Sequence, residues 1–169
     1  AVNLIYKIKN RNSEKFLPML VENKDMAAQY VHISWLSQHI MSTFWPGALT
    51  MVLPAIEKCK IAHSAYSKKD IAIRSPNHKF TQAVIHLVGR PIVGTSANIS
   101  GKENSVDIEE LCKSFLGRVA AIFVDENLSS VGHSTIIDTY GDKINIIRDG
   151  VVAIESTITD KTPKSVNIL

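Results

Sequence analysis

The chain has 169 residues, a length that favours one domain. Apolar residues make up 45% and charged residues 21%, which excludes disorder as the default state. The net charge of +3 is too small to predict nucleic-acid binding by itself. Cys59 and Cys112 are far apart in sequence, and no apolar run is long enough for a membrane span. A cytoplasmic protein without a disulfide framework is therefore expected.

Helices and strands alternate along the first half of the chain. Apolar residues recur at helical spacing from Val2 with no capping residue before them, so the chain is expected to begin inside a helix. Asn23 is predicted to cap a helix that runs to position 31, and Ser34 is predicted to cap the next one. A further helix is expected between Asn77 and Gly89. Strands are predicted at 16–21, 49–53, 70–74 and 91–94, the last of them buried.

The last part of the sequence is rich in predicted strands. Asp107 and Glu110 form a capping box for a helix that runs to Phe115. Strands are predicted at 120–124, 135–137 and 144–147, with a hairpin-like turn at 140–142. No repeat or linker divides the chain. Interleaved helices and strands followed by a strand-rich end predict an α/β or α+β sheet protein in one domain.

Common catalytic and nucleotide-binding motifs are absent from the sequence. It contains neither GxGxxG nor GxxxxGK[ST], so a standard dinucleotide fold and a P-loop are both disfavoured. The histidines do not form the zinc-binding motif HExxH. The motif GxSxG is also absent, so a serine hydrolase is disfavoured. The remaining candidates are polar residues at the ends of apolar strands, where ligand sites in open sheets tend to lie.

A cluster of cations follows the first predicted helix. It consists of Lys7, Lys9, Arg11 and Lys15. Cations at a helix C-terminus interact favourably with the helix dipole, so the pattern alone favours a solvated helix end. The alternative is an anion site, because an Arg fork and a Lys point charge together can hold phosphate oxygens.

Two further features have a structural and a functional interpretation. The segment from Thr95 to Gly101 carries hydroxyl and amide groups that can donate to a phosphate or carboxylate, but these are also ordinary turn residues. Arg74 ends a predicted strand and faces either a cleft or solvent. Each signal is weak when it is considered alone.

Six segments taken together are more specific. They are IYKIKNR at 5–11, FWPGALT at 44–50, IAIRSPNH at 71–78, TSANISG at 95–101, GHSTIID at 132–138 and IIRDG at 146–150. In this order and at this spacing they resemble the YrdC/TsaC family of threonylcarbamoyl-AMP synthases. The resemblance implies a twisted, open, mixed sheet with flanking helices over residues 1–150, and it leaves 151–169 as a tail.

The resemblance also implies an activity. Such enzymes form L-threonylcarbamoyladenylate and pyrophosphate from L-threonine, bicarbonate and ATP with Mg²⁺. The product is used for N6-threonylcarbamoyladenosine synthesis in tRNA, so a downstream threonylcarbamoyl transferase complex is an expected partner.

Residues that match the family's functional positions fall into three overlapping groups. The catalytic group is Lys9, Arg11, Ser96 and Asn98. The ATP-binding group is Arg11, Lys15, Asn98 and Arg148. The threonine-binding group is Arg74, Ser96 and Ser134, with Arg74 expected to hold a carboxylate. No protein ligand for a metal is implied, so Mg²⁺ is expected to enter with ATP.

The sequence departs from the family's pattern in places. The opening motif Pro-Thr-(Asp/Glu)-Thr-Val-Tyr-Gly-Leu has no match, so the chain is expected to lack an N-terminal part of the domain. His133 stands where the family usually has Glu. Two other functions stay open: a relative that binds tRNA or double-stranded RNA through the same cations without synthase activity, and a degenerate paralogue that keeps only the fold.

Overall fold

A computed structural model describes residues 2–12, 17–57, 59, 61, 69–98, 108–124, 132–140 and 143–154. The helices are α1 (Val2–Lys9), α2 (Lys24–Ala27), α3 (Trp35–Phe44), α4 (Lys79–Val88) and α5 (Ile108–Phe115). The strands are β1 (Met19–Leu20), β2 (Leu49–Pro54), β3 (Asp70–Arg74), β4 (Ile92–Val93), β5 (Thr135–Asp138) and β6 (Asn145–Arg148). No helix in these ranges is long and apolar enough to cross a membrane.

The six strands form one mixed sheet in the order β4-β1-β3-β2-β5-β6. The pairs β1/β3 and β2/β5 are parallel, and the other neighbours are antiparallel. The mixed sheet with flanking helices, predicted from the resemblance, is therefore confirmed.

The two faces of the sheet differ in burial. Alternate residues of β2 and β3, such as Met51 and Ile73, are fully buried in a core that includes Ile40 of α3. The other face carries residues that are paired across neighbouring strands and therefore point the same way. The register pairs Leu20 with Arg74 and Ile136 with Arg148, and its continuation places Thr50 of β2 beside Arg74. We call this surface the second face.

The chain leaves β4 close to the second face. The Gly94 amide donates to the Pro18 carbonyl oxygen at 2.8 Å. A Cβ at position 94 would lie 2.7, 2.8 and 2.9 Å from three atoms of the Leu20 side chain. Glycine therefore lets the chain run over Leu20 into the segment that begins at Thr95.

The predicted helix boundaries are confirmed at several caps. Asn23 accepts from the Met26 amide at 2.9 Å, and Ser34 accepts from the Ser37 amide at 3.1 Å. Gly89 ends α4 with a φ of 66°, a left-handed conformation in which glycine is favoured. The second predicted helix is shorter than expected, because α2 ends at Ala27 and the chain turns so that residue 31 can bridge to residue 55.

Two strand predictions need correction. Residues 120–124 are not a strand: Phe123 is 72% exposed, and its ring contacts that of Phe80 at a tilt of 44°, with 4.7 Å between ring centroids. A strand requires a neighbour to pair its backbone groups, and the described sheet places none beside this segment. The 91–94 strand is only half-buried, because β4 lies at the sheet edge. Asp107, the centre of the 140–142 turn and the tail beyond 154 lie outside the described residues.

Candidate functional site

The end of helix α1 is fixed by its own backbone. Asn10 has a φ of 49°, a left-handed conformation that Asn tolerates better than most residues. Its amide donates to the Lys7 carbonyl at 3.2 Å, and the Arg11 amide donates to the Tyr6 carbonyl at 3.0 Å. These two bonds form a Schellman motif, which ends the helix at Lys9 and sets the directions of Lys9 and Arg11.

Lys9 is buried against the segment that follows β4. Its side chain is 3% exposed, and its ammonium donates to the carbonyl oxygens of Ser96 and Asn98 and to Asn98 Oδ1, the last at 3.2 Å. Ser96 Oγ donates to Asn98 Oδ1 at 2.6 Å. The structure thus brings together three residues that lie far apart in sequence. We call Lys9, Ser96 and Asn98 the lysine cluster.

The lysine cluster carries positive charge in a site shielded from water. Burial lowers the pKa of Lys9, and the nearby Arg11 guanidinium lowers it further by repulsion. The oxygen atoms that accept from Lys9 are all uncharged, so they satisfy its three N–H donors without neutralising its charge. Lys9 therefore orders the 96–98 segment. No carboxylate of the described residues is paired with its charge, an arrangement that favours an approaching anion.

The lowered pKa of Lys9 predicts a pH dependence of stability. An unfolded lysine titrates near 10.5, whereas Lys9 in the folded chain loses its proton at lower pH. Between these two values the unfolded state binds more protons, so the contribution of Lys9 to the free energy of unfolding rises with pH. The free energy of unfolding in urea is measured for the wild type and for Lys9→Met from about pH 8 to about pH 10.5. The amount by which the wild-type value exceeds that of Lys9→Met is expected to grow over this range.

Comparing the wild type with Lys9→Met also controls for the titration of Tyr6. Burial raises the pKa of Tyr6, so the folded chain keeps that proton longer and stability falls as the pH rises through the tyrosine range. This opposite slope is present in both proteins and cancels in the comparison. A difference that stays constant or shrinks with pH would contradict the assignment to Lys9.

A second cluster lies where β3, β2 and β5 meet. Arg74 Nε donates to the Gly47 carbonyl at 2.7 Å. Arg148 donates to the Ser134 carbonyl through Nε at 3.2 Å and through Nη2 at 2.6 Å, and Nη2 is 3.1 Å from Ser134 Oγ. Thr50 Oγ1 lies 3.1 Å from the same Ser134 oxygen. We call Arg74, Ser134, Arg148 and Thr50 the arginine cluster.

Two guanidinium groups approach each other in the arginine cluster. Burial lowers the pKa of Arg74, and repulsion from Arg148 lowers it further. Both groups keep their charge because arginine is always protonated in proteins. Within the described residues, both guanidiniums donate to uncharged oxygens, those of Gly47 and Ser134. Two like charges held together in this way favour a bound carboxylate or phosphate, which would relieve the repulsion.

The structure groups the predicted site residues in a new way. Arg148, predicted to contact the nucleotide, and Ser134, predicted to contact threonine, are hydrogen-bonded to each other. Arg11 lies close enough to Lys9 for its charge to lower the pKa of Lys9. Lys15 lies outside the described residues. In the described ranges no three His, Cys, Asp or Glu residues are grouped so that they could hold a metal ion.

Sequence reasoning missed two members of this site, Gly47 and Thr50. Both belong to the segment FWPGALT, which the sequence analysis used only as part of the resemblance. A hydroxyl residue within an otherwise apolar strand was the available signal at position 50. Glycine at position 47 is required by the close approach of the Phe44 carbonyl oxygen, 2.2 Å from where a Cβ would lie.

Comparisons with known proteins identify relatives of this chain. The model of the Sua5/YciO/YrdC family, described as telomere recombination, matches residues 1–150. A Methanocaldococcus jannaschii protein is 33% identical over 155 residues, covering 92% of this chain and 72% of that protein. The threonylcarbamoyl-AMP synthase of Bacillus subtilis is 32% identical over 160 residues, covering 92% of this chain and 45% of the enzyme.

Solved structures resemble the fold. The crystal structure of P. abyssi Sua5 complexed with L-threonine has a TM-score of 0.79 and 27% sequence identity, covering 88% of this chain and 44% of that one. The chain therefore spans less than half of the Bacillus and Pyrococcus proteins. The family match over most of the chain, together with the shared fold, shows that the chain belongs to the Sua5/YciO/YrdC family.

Proposed function

We propose that this chain binds L-threonine and ATP and forms L-threonylcarbamoyladenylate, with bicarbonate as the third substrate and pyrophosphate as the leaving group. The observation that carries the proposal is the presence of two cationic clusters that border one sheet and that, within the described part of the chain, donate to uncharged oxygens. The name of the Bacillus relative and the threonine bound to P. abyssi Sua5 support this choice among reactions of anionic substrates.

The separation of the clusters fits two adjoining ligands. β4 and β3 are separated by one strand, so their axes lie about 10 Å apart. The arginine cluster at the end of β3 would hold the threonine carboxylate, because a guanidinium matches a carboxylate in a bidentate pair. The lysine cluster after β4, with Arg11 and Lys15 nearby in sequence, would face the ATP phosphates.

The reaction needs charge stabilisation more than a protein nucleophile. The threonine amine and bicarbonate give a carbamate with loss of water, and a carbamate oxygen then attacks the α-phosphorus of ATP while pyrophosphate leaves. Negative charge on the phosphate oxygens is stabilised by Lys9, by the neighbouring Arg11 and by the Mg²⁺ that accompanies ATP as substrate. Binding both substrates side by side supplies the orientation. Delivery of the product to tRNA modification belongs to the same proposal.

Calorimetry tests the binding part of the proposal directly. MgATP and L-threonine are titrated separately into the folded chain, and pyrophosphate release is then measured with all three substrates present. Saturable binding of both ligands is expected. Absence of ATP binding at about millimolar concentration, with the chain folded by circular dichroism, would remove the nucleotide from the proposal. ATP binding without threonine binding would reject the assignment of the arginine cluster.

A further inference from the structure

We propose that Thr50 is a positioning residue that turns the Ser134 hydroxyl into a hydrogen-bond donor toward a carboxylate. This inference rests on the proposed function in one respect, because it takes threonine as the natural carboxylate. It assigns a role to Thr50, the buried hydroxyl residue of the arginine cluster.

The direction of one hydrogen bond is fixed by chemistry. Arg148 Nη2 lies 3.1 Å from Ser134 Oγ, and a guanidinium has donors but no acceptor. Ser134 therefore accepts from Arg148, and one of the two lone pairs of its hydroxyl is filled. The Ser134 backbone is held in place by the same arginine, because its carbonyl accepts from Arg148 Nε and Nη2.

The direction of the second bond follows from the burial of Thr50. The Thr50 residue is 2% exposed, and Ser134 Oγ at 3.1 Å is the one hydrogen-bond partner that the described residues give its hydroxyl. If Thr50 accepted from Ser134, its own proton would be buried without an acceptor, which is costly. Thr50 therefore donates to Ser134.

These two bonds determine what Ser134 can recognise. Both lone pairs of its hydroxyl are filled by Thr50 and Arg148, so its proton is free for a ligand. Arg74 adds further donors, since its Nε alone is engaged with Gly47 among the described residues. Within the described residues, the arginine cluster therefore offers a ligand the free N–H groups of Arg74 and the hydroxyl proton of Ser134. It suits a carboxylate and disfavours an amine or amide N–H at the same place.

Variants of Thr50 separate this role from packing. Thr50→Val keeps the β-branched shape that suits a central strand and removes the hydroxyl, whereas Thr50→Ser keeps the hydroxyl. With L-threonine as the probe in calorimetry, Thr50→Val is expected to bind about tenfold more weakly, and Thr50→Ser within about twofold of the wild type. Thermal unfolding is recorded for each protein so that binding is compared only between folded chains.

The decisive measurement repeats Thr50→Val in a Ser134→Ala background. If Thr50 acts through Ser134, the second substitution removes what the first one controls, and Thr50→Val then changes the affinity less than about twofold. An unchanged affinity in Thr50→Val, or the same loss in both backgrounds, would overturn the inference.

A second probe separates this inference from the proposed function. Acetate is titrated while the Nε–Hε signals of Arg74 and Arg148 are followed by NMR. Signals that shift in the wild type and shift much less in Thr50→Val support the role of Thr50 even if the chain fails to bind threonine. Acetate that leaves both signals unchanged in the wild type would overturn the carboxylate site itself.

Discussion

Replacing Lys9 with Met is expected to weaken MgATP binding by about 100-fold, the loss typical of removing hydrogen bonds made by a buried charged group. The Met side chain fills similar space but has no N–H group. The oxygen atoms of Ser96 and Asn98 that accept from the Lys9 ammonium therefore lose their donor. The 96–98 segment then loses its attachment to α1, and the site loses its buried positive charge. We expect the melting temperature to fall as well, by about 5 °C.

Lys7→Met is the matched control for this experiment. Lys7 lies on the same helix and is exposed, so its replacement removes the same formal charge without disturbing the 96–98 segment. Calorimetry with MgATP and thermal unfolding are run on both variants. Equal losses of affinity would mean that long-range charge alone attracts the nucleotide, and would contradict a specific role for Lys9.

The fold was predictable where local pattern and burial agree. In β3 the alternation places Ile71 and Ile73 in the core, as a half-buried strand requires. Side-chain caps such as Asn23 are equally local, because the hydrogen bond spans three residues. Residues 120–124 show the limit of this reasoning. Their β-branched and aromatic composition is typical of strands, but a strand forms only beside a partner, and composition does not reveal one.

The site was predictable as residue types and not as contacts. Lys9 and Ser96 are separated by 87 residues and meet because β4 lies at the sheet edge beside β1. Thr50 and Ser134, 84 residues apart, meet because β2 and β5 are parallel neighbours. Strand order depends on the packing of the whole chain, so spacing along the sequence does not encode it. The resemblance named candidate residues, but the hydrogen bonds between Arg148 and Ser134 could be found only from the structure.

Arg74→Lys is expected to weaken L-threonine binding by about 10- to 100-fold and to leave MgATP affinity nearly unchanged. The Arg74 guanidinium can use its Nε for the Gly47 carbonyl at 2.7 Å and still present two further nitrogens to a ligand. A lysine has a single nitrogen, which cannot reproduce that fixed fork. The positive charge remains, so a uniform loss of anion binding is not expected. The geometry of one carboxylate contact is what changes.

Arg90→Lys supplies the comparison, since Arg90 is exposed just after α4 and belongs to neither cluster. Affinities for L-threonine and MgATP are measured for both variants, together with their melting temperatures. If Arg74 only packs over the sheet, Arg74→Lys lowers the melting temperature and changes the two affinities equally or not at all. A selective loss of threonine binding requires Arg74 to contact that ligand. Because Gly47 fixes the guanidinium before any ligand arrives, the selectivity would arise from orientation rather than from charge.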